Sequence, residues 1–130
     1  ALLRQELIDI NKATTDTGRT PLYIACYQGH TDIVNALLHQ ESIDINKERT
    51  HDGSTPLYIA CKKGHTDIVN ALLNQELIAI DQGMKKESRT PLSAAIHYQH
   101  SILEQLLKEN GATSFVEWPM TPPGSSDDDY

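Results

Sequence analysis

Cysteine is scarce in this chain: Cys26 and Cys61 are the only two in 130 residues. Two thiols cannot build the dense disulfide framework of a small secreted domain, although one bridge between them is open on count alone. We read them as buried thiols of a cytoplasmic, reducing compartment. Basic charge is also short, with 11 Lys and Arg against 18 Asp and Glu and a net charge of −7. A surface that tracks nucleic-acid phosphates needs clustered cations, so no nucleic acid is expected as a partner. Lys62-Lys63 and Lys85-Lys86 are the only local basic pairs. No apolar run approaches the roughly 20 residues that span a bilayer. Arg4, Glu6 and Asp9 interrupt any signal-like start, so no membrane role is expected. No glycine loop is built to cradle phosphate, and no Ser, Cys or carboxylate has a nucleophile–base–orienter set. The chain is expected to be non-catalytic and to need no cofactor.

What is present is repetition. T-P-L-Y-I-A-C occurs at Thr20–Cys26 and again, 35 residues on, at Thr55–Cys61; T-P-L-S-A-A-I follows at Thr90–Ile96. Self-similarity at a fixed period means stacked copies of one small unit, whose natural product is an extended surface. Each unit reads physically. Thr20-Pro21 starts a helix, because Thr caps it and Pro suits the first helical position. Leu22, Ala25 and Cys26 form its small apolar face, and Gly29-His30 stops it, with Gly free to take positive φ. Thr31-Asp32 opens a second helix, where a carboxylate suits the positive N-terminal end. Ile33, Val34, Leu37 and Leu38 are its apolar stripe. Ile43-Asp44-Ile45-Asn46 then leads into a loop ending at Gly53, which should turn like a hairpin. Two helices this short cannot bury both faces, so neighbours must stack.

The pattern D/T-x-G-x-T-P-L-Y-I-A-C-x-x-G-H-x-x-I-V-x-x-L-L resembles the ankyrin repeat, whose unit is about 33 residues. The resemblance covers residues 1–113 and implies an all-α solenoid of helix-turn-helix units with hairpin-like loops. A partial N-terminal unit would precede three units of about 35 residues, and 114–130 would form a Pro/Asp-rich tail. Ala1-Leu2-Leu3 matches Ala36-Leu37-Leu38 and no Met begins the chain, so we expect a fragment of a longer array. Gln40–Asn46 is about two residues longer than the family's usual turn. Tyr23, Tyr58 and Ser93 replace the family's histidine, which puts its usual Thr–His hydrogen bonds in doubt. The last unit has Ser88 and Gln99 for Gly53 and Gly64. It is also read as dropping one residue after His100, giving a second helix Ile102–Leu107, as in a terminal capping unit.

The resemblance also implies a binding face on the concave side. Carried over by position, it comprises Asp16, Thr17, Arg19, Tyr27 and Gln28; then Arg49, His51, Asp52, Ser54, Lys62 and Lys63; then Lys86, Glu87, Arg89, His97 and Tyr98. Between Thr20–Ile45 and Thr55–Ile80 only five positions differ. Tyr27-Gln28 against Lys62-Lys63 marks the expected exposed end of the first helix. Tyr and Arg are enriched among interface hot spots. The chain is therefore read as a protein-interaction module; the alternative is a targeting or regulatory segment of a larger multidomain enzyme or microbial effector, acting in host cytosol.

Cys26/His30 and Cys61/His65 repeat C-x-x-x-H, which would offer four zinc ligands. A small buried slot and a Gly-His turn account for the same residues, so no metal is expected. His97 and His100 are read as exposed histidines beside Tyr98. In the tail, Phe115, Val116, Trp118 and Met120 either cover the open end of the last unit, the favoured reading, or dock elsewhere, including self-association with another copy.

Overall fold

The computed structural model describes residues 9–84 and 89–113. Among them are six helices in three pairs: α1 (Pro21–Gln28) with α2 (Thr31–Leu38), α3 (Pro56–Lys63) with α4 (Thr66–Leu73), and α5 (Pro91–His97) with α6 (Ser101–Glu109). First helices pack on first helices and second on second, so α1, α3 and α5 form one layer and α2, α4 and α6 the other. No strand occurs among the described residues, only an isolated antiparallel bridge between Met84 and Arg89. The expected all-α solenoid is the fold observed.

The helix starts are set by threonine. Thr20, Thr55 and Thr90 Oγ1 each accept the backbone N–H three residues on at 3.1 Å, and Pro occupies the next position. Ser93 completes a reciprocal capping box, its Oγ accepting the Thr90 N–H at 2.8 Å. Second helices open at Thr31 and Thr66, where the sequence expectation puts them. Their caps are His30, His65 and His100, none of which caps through its side chain, and Thr31 and Thr66 are already helical. The histidines of later units reach backward instead. His65 Nε2 lies 3.2 Å from the Tyr27 carbonyl, and His100 Nε2 lies 3.1 Å from the Lys62 carbonyl. A carbonyl only accepts, so Nε2 carries the proton in both.

A shared core runs through the stack. Leu22, Cys26, Leu57, Cys61, Ile68, Val69, Leu72, Leu92, Leu103 and Leu107 are all buried. Burial pushes both thiols well above their ordinary range, because a thiolate there would be desolvated. Neither cysteine is in a disulfide. Native protein is expected to react with a thiol reagent only as fast as it opens, with two equivalents released in denaturant. Rapid labelling under native conditions would show that these sites are not sealed.

The last unit corrects the reading that a residue is dropped. α6 starts at Ser101, in step with Thr31 and Thr66. Leu103 and Leu107 take the buried positions of Ile68 and Leu72, while Ile102 takes that of Asp67 and is 70% exposed. Glu104 and Lys108 replace Val69 and Leu73 and pair at 2.8 Å, so the apolar stripe is narrower in this helix.

The longer turns are tied by asparagine. Asn11 donates to the Ser42 carbonyl and accepts from the Asp44 N–H, both at 2.8 Å. Asn46 repeats this toward Leu77 (2.8 Å) and Ala79 (2.9 Å). On the other side of the helices the hairpin-like loops close between Arg49 and Ser54 at 2.8 Å and between Met84 and Arg89 at 2.7 and 3.0 Å. Thr14 and Arg19 close the first loop at 2.9 Å.

Candidate partner-binding face

The predicted face divides into an open part and a buried part. Asp16, Gln28 and His51 are exposed, and Thr17, Arg19, Tyr27, Asp52, Lys63, His97 and Tyr98 are half-buried. Arg49, Ser54, Lys62 and Arg89 are buried, with Arg49 only 2% and Lys62 only 8% exposed. The expectation that these four are surface residues is therefore wrong. Lys86 and Glu87 lie outside the described residues, as do Phe115, Val116, Trp118 and Met120. His100, read as an exposed histidine, is half-buried and bonded to the preceding unit.

Three of these buried polar residues have a physical cause: Arg49, Ser54 and Lys62 hold one unit to the next. Ser54 Oγ donates to Asp52 Oδ1 at 2.7 Å, so the Tyr23 hydroxyl, 3.0 Å away, must donate to Ser54. Arg49 lies 3.8 Å from the Asp52 carboxylate and donates through Nε to the Thr17 carbonyl at 3.2 Å. Burial raises the pKa of the Tyr23 phenol, its hydrogen bonds with Ser54 and Arg49 opposing the rise. This network stands where the family's Thr–His bonds were in doubt. The sequence reading missed it because its members are about 30 residues apart. Asp16 is different. It is fully exposed, and its carboxyl is held below the usual range by the Thr14 hydroxyl and the Thr17 N–H.

The open part is organised around tyrosine. Arg19 Cζ lies 4.9 Å from the Tyr27 ring centroid, and Lys63 Nζ lies 4.6 Å from the same centroid. Lys62 Nζ lies 5.8 Å from the Tyr98 centroid, and His97 meets Tyr98 edge-on at 4.8 Å. The two positions that differ between copies thus meet across the junctions. At the first junction the aromatic is Tyr27 and the cation Lys63; at the second the cation is Lys62 and the aromatic Tyr98. The same cation–aromatic pairing is made with its members exchanged.

Cation–aromatic contacts at half-exposed sites are worth about 0.5–1 kcal/mol each. A double-mutant cycle with Tyr27→Ala and Lys63→Ala is expected to give coupling of that order in urea denaturation. Strict additivity would remove the junction role of the pair.

A family model described as ankyrin repeats (3 copies) matches residues 1–49 and 42–116. The chain belongs to the ankyrin-repeat family. No curated protein sequence matches it significantly. Ankyrin repeats are generally protein–protein interaction modules and are typically non-catalytic. In this ankyrin array no described helix is long and apolar enough to cross a membrane. Among the described residues no group of three His, Cys, Asp or Glu side chains is placed to hold a metal ion.

Proposed function

We propose that this ankyrin array recognises a partner protein through the face made by the hairpin-like loops and the first-helix layer. Tyr27, Gln28, Lys63, His97 and Tyr98 would form its centre, and Asp16, Thr17, Arg19 and His51 its rim. One observation carries the reading. Copies otherwise nearly identical differ at 27/62 and 28/63, and these positions meet as cation–aromatic pairs on a half-open face. Arg49, Ser54, Lys62 and Arg89 would support the face from beneath rather than touch the partner. Aromatic and Arg side chains held rigid before binding lose little entropy on association, which suits them as anchors. The buried, unpaired thiols support a reducing compartment as the working environment.

The test is a hydrogen-exchange footprint of the full chain with a partner captured by affinity. Protection is expected at residues 16–28, 51–63 and 97–98. Protection confined to α2, α4 and α6 would place recognition on the opposite layer and refute the reading.

A further inference from the structure

The last second-layer helix, α6, departs from its two copies in a concerted way. Asp32 and Asp67 give way to Ile102, and Ala36 and Ala71 to Leu106, so an apolar i, i+4 pair appears where the copies are acidic or small. Val34 and Val69 give way to Glu104, and Leu38 and Leu73 to Lys108. The apolar stripe of α6 is thus turned by one position, about 100° around the helix. Val69 and Leu73 are buried in the central unit, whereas Glu104 is half-buried and Lys108 exposed in the last. These positions lie on the side that a following unit would cover, and the Glu104–Lys108 pair makes it polar. A polar outer face is what closes a stack.

The turned stripe opens onto a different place. Ile102, 70% exposed, and half-buried Leu106 line an open groove of about 480 Å³ between α4 and α6. Asp67 and Asn70 line it from α4, Gln105 and Glu109 from α6. Past α6 the chain begins its turn as the earlier units do. The Thr113 N–H donates to Asp81 Oδ1 at 3.3 Å, as the Asp44 and Ala79 N–H groups donate to Asn11 and Asn46. In those turns the next residue is Ile45 or Ile80, each packed against the core. Here it is Ser114, so the apolar anchor of the turn is missing. Apolar residues follow at Phe115, Val116, Trp118 and Met120, among them the one Phe and the one Trp of the sequence.

We infer that residues 115–120 dock into this groove of their own molecule, with the Trp118 indole laid over Ile102 and Leu106. The reach is sufficient. Five extended residues from Thr113 to Trp118 cover about 16 Å, and the nine residues of α6 rise about 13 Å. Glu109, shortly before Thr113, already lines the groove, so the segment has only to fold back along α6. A buried indole N–H needs an acceptor, and the Asp67 carboxylate and Asn70 amide oxygen offer one at the groove. The docked segment lies on the second-helix layer and leaves the proposed partner face uncovered.

Trp118 is the only tryptophan, so its fluorescence in the full chain reads the segment alone. Its emission is expected to lie to the blue of its value in urea and to be shielded from acrylamide, both independently of protein concentration. Ile102→Asp with Leu106→Ala restores the residues of the other copies. Emission should then move to the red and quenching rise to the value in urea, with the helical circular dichroism retained. Ile102→Asp alone, at a position already exposed, should move both readings the same way, which keeps the test decisive should the double variant lose its helices. A Trp118 as red and as quenchable in the parent as in urea would overturn the inference. Shielding that survives both variants would place the segment elsewhere and overturn it equally. Shielding that grows with concentration, alongside a dimer mass in sedimentation, would make the occupant the tail of a second copy and overturn docking within one molecule.

Discussion

Gly64→Ala is expected to lower the free energy of unfolding by about 3 kcal/mol, from a left-handed backbone penalty of about 1–2 and a lost hydrogen bond of about 1. Gly64 caps α3 at φ 76, and a Cβ there would stand 2.7 Å from His100 Cε1. His100 cannot retreat without loosening its 3.1 Å bond to the Lys62 carbonyl, so the substitution strikes the junction between two units as well as the turn. Gly29 is built the same way beneath His65. Gln99 is the control that nature supplies: it holds φ 63 at an exposed position. Its strain is of order 1 kcal/mol, so Gln99→Gly should stabilise by about that much or somewhat less. Urea denaturation of the two variants decides it. A Gly64→Ala protein as stable as the parent would show that the histidine does not clamp the junction.

Ile68→Ala should cost about 3 kcal/mol or more, whereas Ile33→Ala should cost under about 1. The two residues sit at the same place in identical helices, T-D-I-V-N-A-L-L. Ile68 is fully buried because the central unit has a described neighbour on each side, and Ile33 is 51% exposed. Deleting three carbons from a sealed site leaves a cavity that its surroundings fill only partly. At the exposed site water takes the space. Equal losses at the two positions, measured by urea denaturation, would mean that burial does not distinguish the copies.

That contrast also shows how much was legible in the letters. The period, the Thr-Pro helix starts and the glycine stops were readable, because each is a local demand of the backbone. The hairpin-like loops were readable for the same reason. Local pattern does not say which neighbour covers a side chain, so Ile33 and Ile68 read alike. Arg49, Ser54, Lys62 and Arg89 looked like surface because polar residues in loops and at helix ends usually are. Arg49, Ser54 and Lys62 are buried because the junctions set them against residues of a neighbouring unit. The register of the last helix was misread for a related reason. Ile102-Leu103 imitates the Ile-Val of the other copies, but burial selects Leu103 and Leu107 and leaves Ile102 outside.

The candidate site was legible in outline only. Comparing copies pointed to 27/62 and 28/63, but not to the fact that these positions touch across the junctions. Tyr27 with Lys63, and Lys62 with Tyr98, turn two apparent surface differences into one alternating device. It joins neighbouring units and would shape the proposed face, which is why Lys63 and not the more buried Lys62 is the residue to change.

The most direct measurement is calorimetric titration of the affinity-captured partner into the full chain and into Lys63→Glu. The account predicts affinity at least about tenfold weaker for the variant, a difference of about 1.4 kcal/mol, with an unchanged helical spectrum. Equal affinity for the two proteins would contradict it.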